Sequence, residues 1–323
     1  MKRVSVVIPA FNCGDRIQET LSSVISEVGD EDEIIVIDDA SIDNTRAMVS
    51  GLNCPKIRYF CLETNSGGPA RPRNEGIKVS EGRFIALFDS DDIMLPGKLD
   101  KAVKLFEKHQ ELGLGFSDFG SIDEFGNFLE SNFLNKYDYI RFIKSLSEGQ
   151  FFKISDHNAL RQLAKANFIG TSGVVIPRAV FDAVGFFDES LANGDDYDMW
   201  MRIARDFPLG FIDSVSHYYR IGQRSISSAG ARRLAPARIK VLERQLADPL
   251  DAEFERDIKY WIAKNKNALS REYIINGEMK EARKLAFDSF CHRKDFTSLK
   301  YFFLSFMGSG FVKFLRSSRF KGN

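Results

Sequence analysis

The stretch RFIALFDSDDIMLP, residues Arg83 to Pro96, decides the fold of this chain. Within it, Phe84 to Phe88 is an unbroken apolar run with aromatic and β-branched members, which predicts a strand buried on both faces. The run stops at three carboxylates in four residues, Asp89, Asp91 and Asp92. Carboxylates this close repel one another unless a cation or hydrogen-bond donors lie among them, and their oxygens are usual ligands of Mg²⁺ and Mn²⁺. The alternative is a solvated acidic turn that caps a helix starting near Pro96.

The segment before this stretch alternates between strands and helices. Strands are predicted at Val4 to Ile8, Glu33 to Ile37 and Ile57 to Leu62. Apolar residues at helical spacing follow the first strand, and a glycine-rich loop, residues 65–69, follows the third. This alternation predicts a parallel sheet with helices on both faces. Ligands of such sheets bind outside the carboxyl ends of the strands. The acidic pair Asp38-Asp39, which ends the second strand, is therefore expected in the same polar cleft.

A dinucleotide-binding domain is the obvious competitor for this alternation. Its first strand would be followed by GxGxxG, whose glycines let the backbone approach a pyrophosphate. Here the first strand is followed by PAFNCG, residues 9–14, so that interpretation is rejected.

The alternation breaks after a helix predicted at Lys98 to His109. A hairpin is expected around the turn Asp123 to Gly126, and shorter strands are expected at Val174 to Ile176 and His217 to Ile221. Between these two strands, Asn193 to Asp198 forms a second acidic cluster at the start of a helix. Carboxylates also favour helix N-termini for purely structural reasons.

The composition changes near Ala229 to charged, amphipathic helix. We therefore predict a first domain of residues 1–229 and a C-terminal helical region of residues 230–323. The end of this region, from Lys300 to Lys321, mixes aromatic with basic residues, which suits the surface of an anionic membrane. A terminal helix packed on the body is the alternative, and contact with a second copy of the chain is a further possibility.

The charge balance excludes one class of function. The 323 residues include 45 lysine plus arginine and 45 aspartate plus glutamate residues, whereas a general nucleic-acid binder carries a basic excess. The four cysteines have no CxxC spacing, so neither a zinc site nor a disulfide framework is indicated. No signal peptide or membrane-spanning stretch is recognisable, which predicts a cytoplasmic location, with peripheral membrane contact through the tail.

Five blocks of the sequence resemble those of the family 2 inverting glycosyltransferases, bacterial enzymes of the GT-A fold that use nucleotide-sugar donors. In order between Lys2 and Ser227, the blocks are VSVVIPAFN, EIIVIDDASIDNT, NSGGPARPRNEGI, FIALFDSDDIMLP and GTSGVVIPRAVFDAVGFFDESLANGDDYDMWMRI. The resemblance implies an α/β fold with a mixed, mostly parallel sheet flanked by helices. It also implies transfer of a hexosyl or N-acetylhexosaminyl group, most commonly from a UDP-sugar, to a glycan or lipid-linked acceptor of surface polysaccharide. A divalent metal, Mn²⁺ or Mg²⁺, is the implied cofactor.

The resemblance also implies roles for individual residues. The catalytic base is Asp196, with Asp195 as the alternative because the alignment could slip by one position. The metal ligands are Asp91 together with Asp89 or Asp92. Nucleotide binding is implied for Pro9, Phe11, Asn12, Asp39, Gly67, Arg73, Asn74, Asp89 and Ser90.

One position departs from the family's pattern. Relatives often follow the last strand with Tyr-Arg-x-His, whose histidine helps to bind metal or diphosphate, and here Gly222 stands at the histidine position. His217, on the preceding strand, is expected to be structural. Arg220 or Arg224 is expected to neutralise phosphate instead.

Two other functions stay open at this point. A phosphohydrolase of the DxD type also places two aspartates and Mg²⁺ at a strand end, but it would need a nucleophilic aspartate where residues 9–12 read Pro-Ala-Phe-Asn. A non-catalytic nucleotide-sugar-binding protein is favoured slightly by Gly222. The intact Asp89, Asp91 and Asp196 weigh against it.

Overall fold

One mixed sheet contains the ten strands found among the residues that the structure, a computed structural model, describes: 2–146, 149–191, 193–222 and 230–307. Along the sheet the order is β3-β2-β1-β4-β9-β6-β10-β5, with β7 beside β6 and β8 beside β10. The strands are β1 (Lys2–Ala10), β2 (Glu33–Asp38), β3 (Ile57–Cys61), β4 (Gly82–Leu87), β5 (Ile93–Met94), β6 (Leu114–Asp123), β7 (Phe128–Glu130), β8 (Phe151–Ile154), β9 (Val175–Pro177) and β10 (Leu209–Ile221).

The sheet is mostly parallel, as predicted. Strands β1, β2, β3 and β4 pair in parallel, and so do β6 and β10. Strand β9 runs antiparallel between β4 and β6, so these two point the same way. The remaining strands, β5, β7 and β8, pair antiparallel with their neighbours. The carboxyl ends of the parallel strands therefore lie along one edge of the sheet.

Strand β4 lies at the centre of this sheet and is buried on both faces. It has β1 on one side and β9 on the other, and its Ile85, Ala86 and Leu87 have no solvent-accessible surface. This confirms the prediction from its unbroken apolar run, because only a strand covered on both faces tolerates apolar side chains at consecutive positions.

Eight α-helices belong to the described part of the N-terminal unit. Their apolar faces pack on the sheet, as Ile17, Leu21 and Val24 of the first helix do, all without accessible surface. The helices are α1 (Ile17–Ile25), α2 (Thr45–Gly51), α3 (Ala70–Val79), α4 (Lys98–Lys108), α5 (Asp138–Ser145), α6 (Asp156–Lys165), α7 (Arg178–Val184) and α8 (Asp195–Asp206).

The chain divides into two compact units, Met1–Ser228 and Ala229–Asn323, one residue from the predicted boundary. The second unit is helical in its described part, with Phe254, Ile258 and Ile262 buried in its core. Among the described residues, none of the helices combines the length and the apolar character needed to cross a bilayer. The helices are α9 (Ala231–Gln245), α10 (Ala252–Asn276), α11 (Met279–His292) and α12 (Phe296–Leu304).

Two features differ from the sequence-based expectation. The last strand was expected at His217 to Ile221, but β10 starts at Leu209 and pairs there with β6 and β8. The short strands β5 and β8 were not predicted at all. Strands of two to four residues carry too little periodicity to be recognised, and they form here because β10 supplies their hydrogen-bond partners.

Candidate active site

A cleft of about 690 Å³ opens at the carboxyl ends of β1, β2 and β4. The cleft is lined by eight of the residues that the sequence predicted for the site, although they come from separate stretches of the chain. They are Pro9, Phe11, Asn12, Asp39, Arg73, Asp89, Ser90 and Asp91. The parallel sheet thus gathers these strand ends into one site, as its topology requires.

The end of β1 presents an aromatic side chain to the cleft. Asn12 adopts a left-handed backbone conformation with φ 47°, which asparagine tolerates better than most residues. Its N–H donates to Ser41 Oγ at 2.9 Å, and its Oδ1 accepts from the Ile42 N–H at 2.9 Å. These bonds tie the segment after β1 to the segment after β2. Phe11, immediately before Asn12, has 48% of its surface exposed.

The carboxylate of Asp39 holds the glycine-rich loop. It is buried, and it accepts hydrogen bonds from Asn65 Nδ2 at 3.0 Å, from the Ser66 N–H at 3.0 Å and from Ser66 Oγ at 2.8 Å. The predicted residue Gly67 does not line the cleft, whereas the following Gly68 does. Contact of Asp39 and Gly67 with a nucleotide stays a prediction.

Arg73 joins the two acidic clusters that the sequence places far apart. The buried guanidinium donates from Nη1 to Asp195 Oδ2 at 2.7 Å and from Nη2 to Asp89 Oδ1 at 2.8 Å. Burial opposes its charge, but the two carboxylates outweigh burial and raise the pKa of Arg73. Gly76 lets helix α3 approach the sheet closely. A Cβ at this position would lie 2.4 Å from Val7 Cγ1, which is too close for any other residue.

Asn74, the neighbour of Arg73, does not line the cleft. Its Nδ2 donates to the Phe187 carbonyl at 3.0 Å and to Glu189 Oε1 at 2.8 Å, and its Oδ1 accepts from the Phe187 N–H at 2.9 Å. The amide thereby anchors the segment that leads to the second acidic cluster. The structure gives Asn74 this anchoring place instead of the predicted contact with a donor.

Asp89 and Asp91 present carboxylates to the cleft. Burial and the negative charge of Asp89 raise the pKa of Asp91 to about 6, an effect that the positive charge of Arg16 opposes. No three His, Cys, Asp or Glu side chains within the described ranges could hold a metal ion by themselves. Mg²⁺ commonly binds one or two carboxylates and completes its coordination with phosphate and water. The pair Asp91 and Asp89 fits that mode of binding.

Asp92 lies beneath this pair and does not line the cleft. Its side chain is fully buried, with Oδ1 accepting from the Arg220 N–H at 3.0 Å and Oδ2 lacking a hydrogen-bond partner among the described residues. Burial and the charges of Asp91 and Asp89 hold its pKa well above the usual range. The predicted role of Asp92 as a direct metal ligand therefore does not match its position, which is that of a support below the site.

The second acidic cluster presents two aspartates in different environments. Asp195 is buried and bound by Arg73. Asp196 is half-buried at the start of α8, with Oδ1 accepting from the Tyr197 N–H at 2.6 Å and Oδ2 accepting from Asn167 Nδ2 at 3.3 Å. Burial and the charge of Asp195 raise the pKa of Asp196 to about 6, against the effect of Arg73. A raised pKa of this kind is what a general base that works near neutral pH needs.

The end of β10 carries the departure from the expected pattern. Gly222 lines the cleft, and so does the preceding Tyr219. Arg220 is buried and donates from Nη2 to Glu19 Oε2 at 2.6 Å and from Nε to the Asp91 carbonyl at 3.0 Å. The prediction that Arg220 neutralises phosphate is therefore wrong, because its guanidinium is committed inside the protein. The other predicted arginine, Arg224, lies outside the described residues.

His217 is a structural side chain, as expected. Its ring is buried and stacks on Phe119 with centroids 5.1 Å apart. Burial and the nearby Lys98 lower its pKa well below the usual range, so the imidazole is neutral.

Comparison with known proteins decides the family. Residues 5–167 match the sequence profile described as "Glycosyl transferase family 2". The chain belongs to this family. The matched segment contains most of β1 and all of β2, β3 and β4, with Asp39, Arg73 and Asp91, and it ends before the acidic cluster of α8.

The relatives of this family 2 chain include proteins of named activity and uncharacterized proteins. An uncharacterized glycosyltransferase of Rickettsia conorii is 30% identical over 72% of this chain. The chain spans only 35% of the length of that protein. The Escherichia coli protein WfgD, named as a UDP-Glc:alpha-D-GlcNAc-diphosphoundecaprenol beta-1,3-glucosyltransferase, is 28% identical over 70% of this chain and 79% of its own length.

A solved structure has the same fold. Staphylococcus aureus TarS 1-349 in complex with UDP-GlcNAc superposes with a TM-score of 0.67 and 19% identity, covering 90% of this chain and 81% of the TarS 1-349 chain. The family 2 chain described here therefore has the GT-A fold with a mixed sheet flanked by helices, as the resemblance implied, and a C-terminal helical region, as the composition predicted.

Several cleft residues of this family 2 chain were missed by the sequence analysis. Arg16, at the start of α1, and Glu124, in the turn between β6 and β7, both line the cleft. Neither belongs to a motif, since one reads as a helix cap and the other as part of a polar turn. Arg16 lies a few residues after the PAFN block, and that proximity is the one signal that the sequence offered.

Proposed function

We propose that this chain transfers a hexosyl or N-acetylhexosaminyl group, with inversion, from a UDP-sugar to a hydroxyl group of a glycan or lipid-linked acceptor. The observation that carries the proposal is the shared arginine. Arg73 contacts Asp89 in the cleft and Asp195, the neighbour of Asp196. One side chain therefore links the proposed nucleotide site to the candidate base. The names of the relatives, a glucosyltransferase that uses UDP-Glc and a lipid-linked acceptor among them, support the choice of donor and acceptor.

Donor binding is assigned to the residues at the strand ends. The exposed ring of Phe11, flanked by Pro9 and Asn12, offers a surface on which a nucleobase can stack. Asp91 and Asp89 would hold Mn²⁺ or Mg²⁺. Such an ion, when bound, offsets the negative charge that gathers on the departing diphosphate.

Inversion is assigned to a single displacement. The acceptor oxygen attacks the anomeric carbon, a new C–O bond forms there, and the bond from that carbon to UDP breaks with its electron pair leaving on the phosphate oxygen. The acceptor hydroxyl loses its proton to Asp196, whose pKa of about 6 leaves it ionised at neutral pH. Asp195, held by Arg73, keeps the start of α8 in position.

The overall test is release of UDP that depends on acceptor. Thermal-shift screening of UDP-sugars with Mn²⁺ identifies the donor, and turnover is then measured with a diphosphate-linked lipid acceptor carrying one sugar. Release of UDP only in the presence of that acceptor supports the proposal. Binding of UDP-sugars without any turnover would instead favour a non-catalytic nucleotide-sugar-binding protein, for which Gly222 is the motivating observation.

The metal assignment makes a separate prediction for Asp91→Asn. Loss of even an outer-shell partner of a bound metal costs roughly 10- to 100-fold in metal affinity, so loss of a direct ligand is expected to cost at least that much. Calorimetry with UDP should show tighter binding with Mn²⁺ than with EDTA for the wild-type protein. The Asp91→Asn variant should lose this difference.

A matched control is Asp100→Asn, the same change on the exposed side of α4 away from the cleft. It should keep the effect of Mn²⁺. If Asp91→Asn also keeps it, the ion is not held at this pair.

We further propose that the C-terminal unit contacts the cytoplasmic face of a membrane. Helices α11 and α12 expose a connected aromatic cluster, in which the Phe302 ring lies 6.0 Å from Phe287 and 5.3 Å from Phe306. Phe296 and Phe303 nearby are 80% and 59% exposed. The basic residues between Lys313 and Lys321, which follow in the sequence, complement an anionic surface.

Vesicle sedimentation tests this contact. The double variant Phe296→Ser, Phe303→Ser should bind anionic vesicles more weakly, by on the order of tenfold for each phenylalanine that the bilayer buries. Phe125→Ser, which changes an 81% exposed phenylalanine of the N-terminal unit, is the control and should bind as the wild type does. Loss of a dimer in light scattering, with vesicle binding unchanged, would assign the face to a second copy instead.

A further inference from the structure

Arg16 lies in the cleft beside Gly222, the position at which relatives often carry a histidine. We propose that the Arg16 guanidinium binds the diphosphate of the donor and that it replaces the imidazole absent at Gly222. This inference rests on the proposed nucleotide-sugar transfer and adds a residue to it. It differs from the sequence-based expectation, in which Arg220 or Arg224 took that role.

The geometry places the two positions next to each other. A Cβ built on Gly222 would lie 3.7 Å from Arg16 Nη1, which is ordinary van der Waals contact. Both residues line the same cleft, together with Ser90 and Asp91. A side chain at position 222 and the side chain of Arg16 would therefore reach the same part of the cleft, although they come from opposite ends of the N-terminal unit.

Two other arginines near the cleft in the described part of the chain are already committed. Arg73 is paired with Asp195 and Asp89, and Arg220 is paired with Glu19. Arg16 has one ion pair within the described part of the chain, in which its Nε lies 3.6 Å from Oδ2 of the exposed Asp15. That separation is longer than a hydrogen bond. The donors of Arg16 thus remain available to a ligand.

The charges of the cleft require such a cation. Asp89, Asp91 and Glu124 line it, and the diphosphate of a nucleotide-sugar adds further negative charge, so that one divalent ion does not neutralise the total. A guanidinium stays charged at every physiological pH and offers a planar fork of donors that matches phosphate oxygens. It can therefore take over an electrostatic role from an imidazole.

Calorimetry of the full chain with UDP and with uridine, both in Mn²⁺, tests the assignment. Arg16→Ala should raise the Kd for UDP roughly 10- to 100-fold, as expected for charge-assisted hydrogen bonds, and should leave the Kd for uridine unchanged. Arg16→Lys should lose less than Arg16→Ala. The control Arg83→Ala changes an exposed arginine at the opposite end of β4 and should bind UDP as the wild type does.

A second variant tests whether the two positions share a ligand. Gly222→His in the Arg16→Ala background should recover part of the lost UDP affinity, since position 222 starts within contact distance of the guanidinium. Absence of recovery, or an Arg16→Ala variant that binds UDP like the wild type, overturns the inference. A wild-type protein that binds no UDP in Mn²⁺ overturns the proposed function itself, so the two failures are distinguishable.

Discussion

An Asp196→Asn variant is expected to lose about a hundred- to ten-thousand-fold in kcat, the usual contribution of a general base. Its affinity for UDP should stay within a few tenths of a log unit of the wild type, because Asp196 does not line the nucleotide cleft. The amide is nearly the same size as the carboxylate but cannot take the acceptor proton. Single-turnover kinetics with calorimetry of UDP binding separates the two effects.

The dependence of kcat on pH gives this prediction a second readout. A base works only when ionised, and burial with the charge of Asp195 raises the pKa of Asp196 to about 6. Turnover should therefore rise with pH up to about 6 and level off above it. Arg73 opposes the shift and Asp89 adds to it. Saturation with Mn²⁺ and donor keeps Asp91 ionised, so that kcat reports the base.

The control for this pair of measurements is Asp206→Asn. It makes the same change on the same helix, at the exposed C-terminal end of α8, and should keep both the wild-type kcat and its pH profile. An Asp196→Asn variant with wild-type turnover, or with an unchanged acidic limb, would remove Asp196 from the mechanism.

Arg73→Met is expected to abolish turnover and to lower the free energy of unfolding by about 3 kcal/mol. The substitution leaves Asp195 buried with an uncompensated charge, which is the main cost. Asp89 contributes less, because its side chain is 30% exposed and stays hydrated. Urea unfolding measures the loss of stability. The double variant Arg73→Met, Asp195→Asn should recover much of it, since the stranded charge is removed, but should recover no activity.

Arg178→Met is the matched control for this substitution. Arg178 is also partly buried beside α3, but its guanidinium donates to the Gly82 and Ile77 carbonyls and to Ser80 Oγ, with no carboxylate among these partners. Its loss strands no charge and should cost less stability while sparing turnover. If both arginine variants are equally stable and equally active, Arg73 does not couple the clusters.

Much of the N-terminal unit could be predicted from local patterns. The burial of β4, the helical face of α1 and the mostly parallel sheet follow from apolar periodicity, which each segment carries by itself. The acidic strand ends at Asp39 and Asp89 were predicted to share one cleft, because the carboxyl ends of parallel strands share one edge. Arg220 was assigned wrongly, since the sequence does not say that Glu19 lies within reach of its guanidinium.

By itself, then, the sequence determined the alternation of strands and helices up to β4, the family, and most of the residues at the carboxyl ends of these strands, because these depend on short-range pattern and on one topological rule. Only the tertiary structure decided which charges neutralise one another. It paired Arg73 with Asp89 and Asp195, buried Asp92, and left Arg16 facing the cleft beside Gly222. Ion pairs and desolvation depend on distances of a few ångströms between remote segments, and no local pattern encodes those distances.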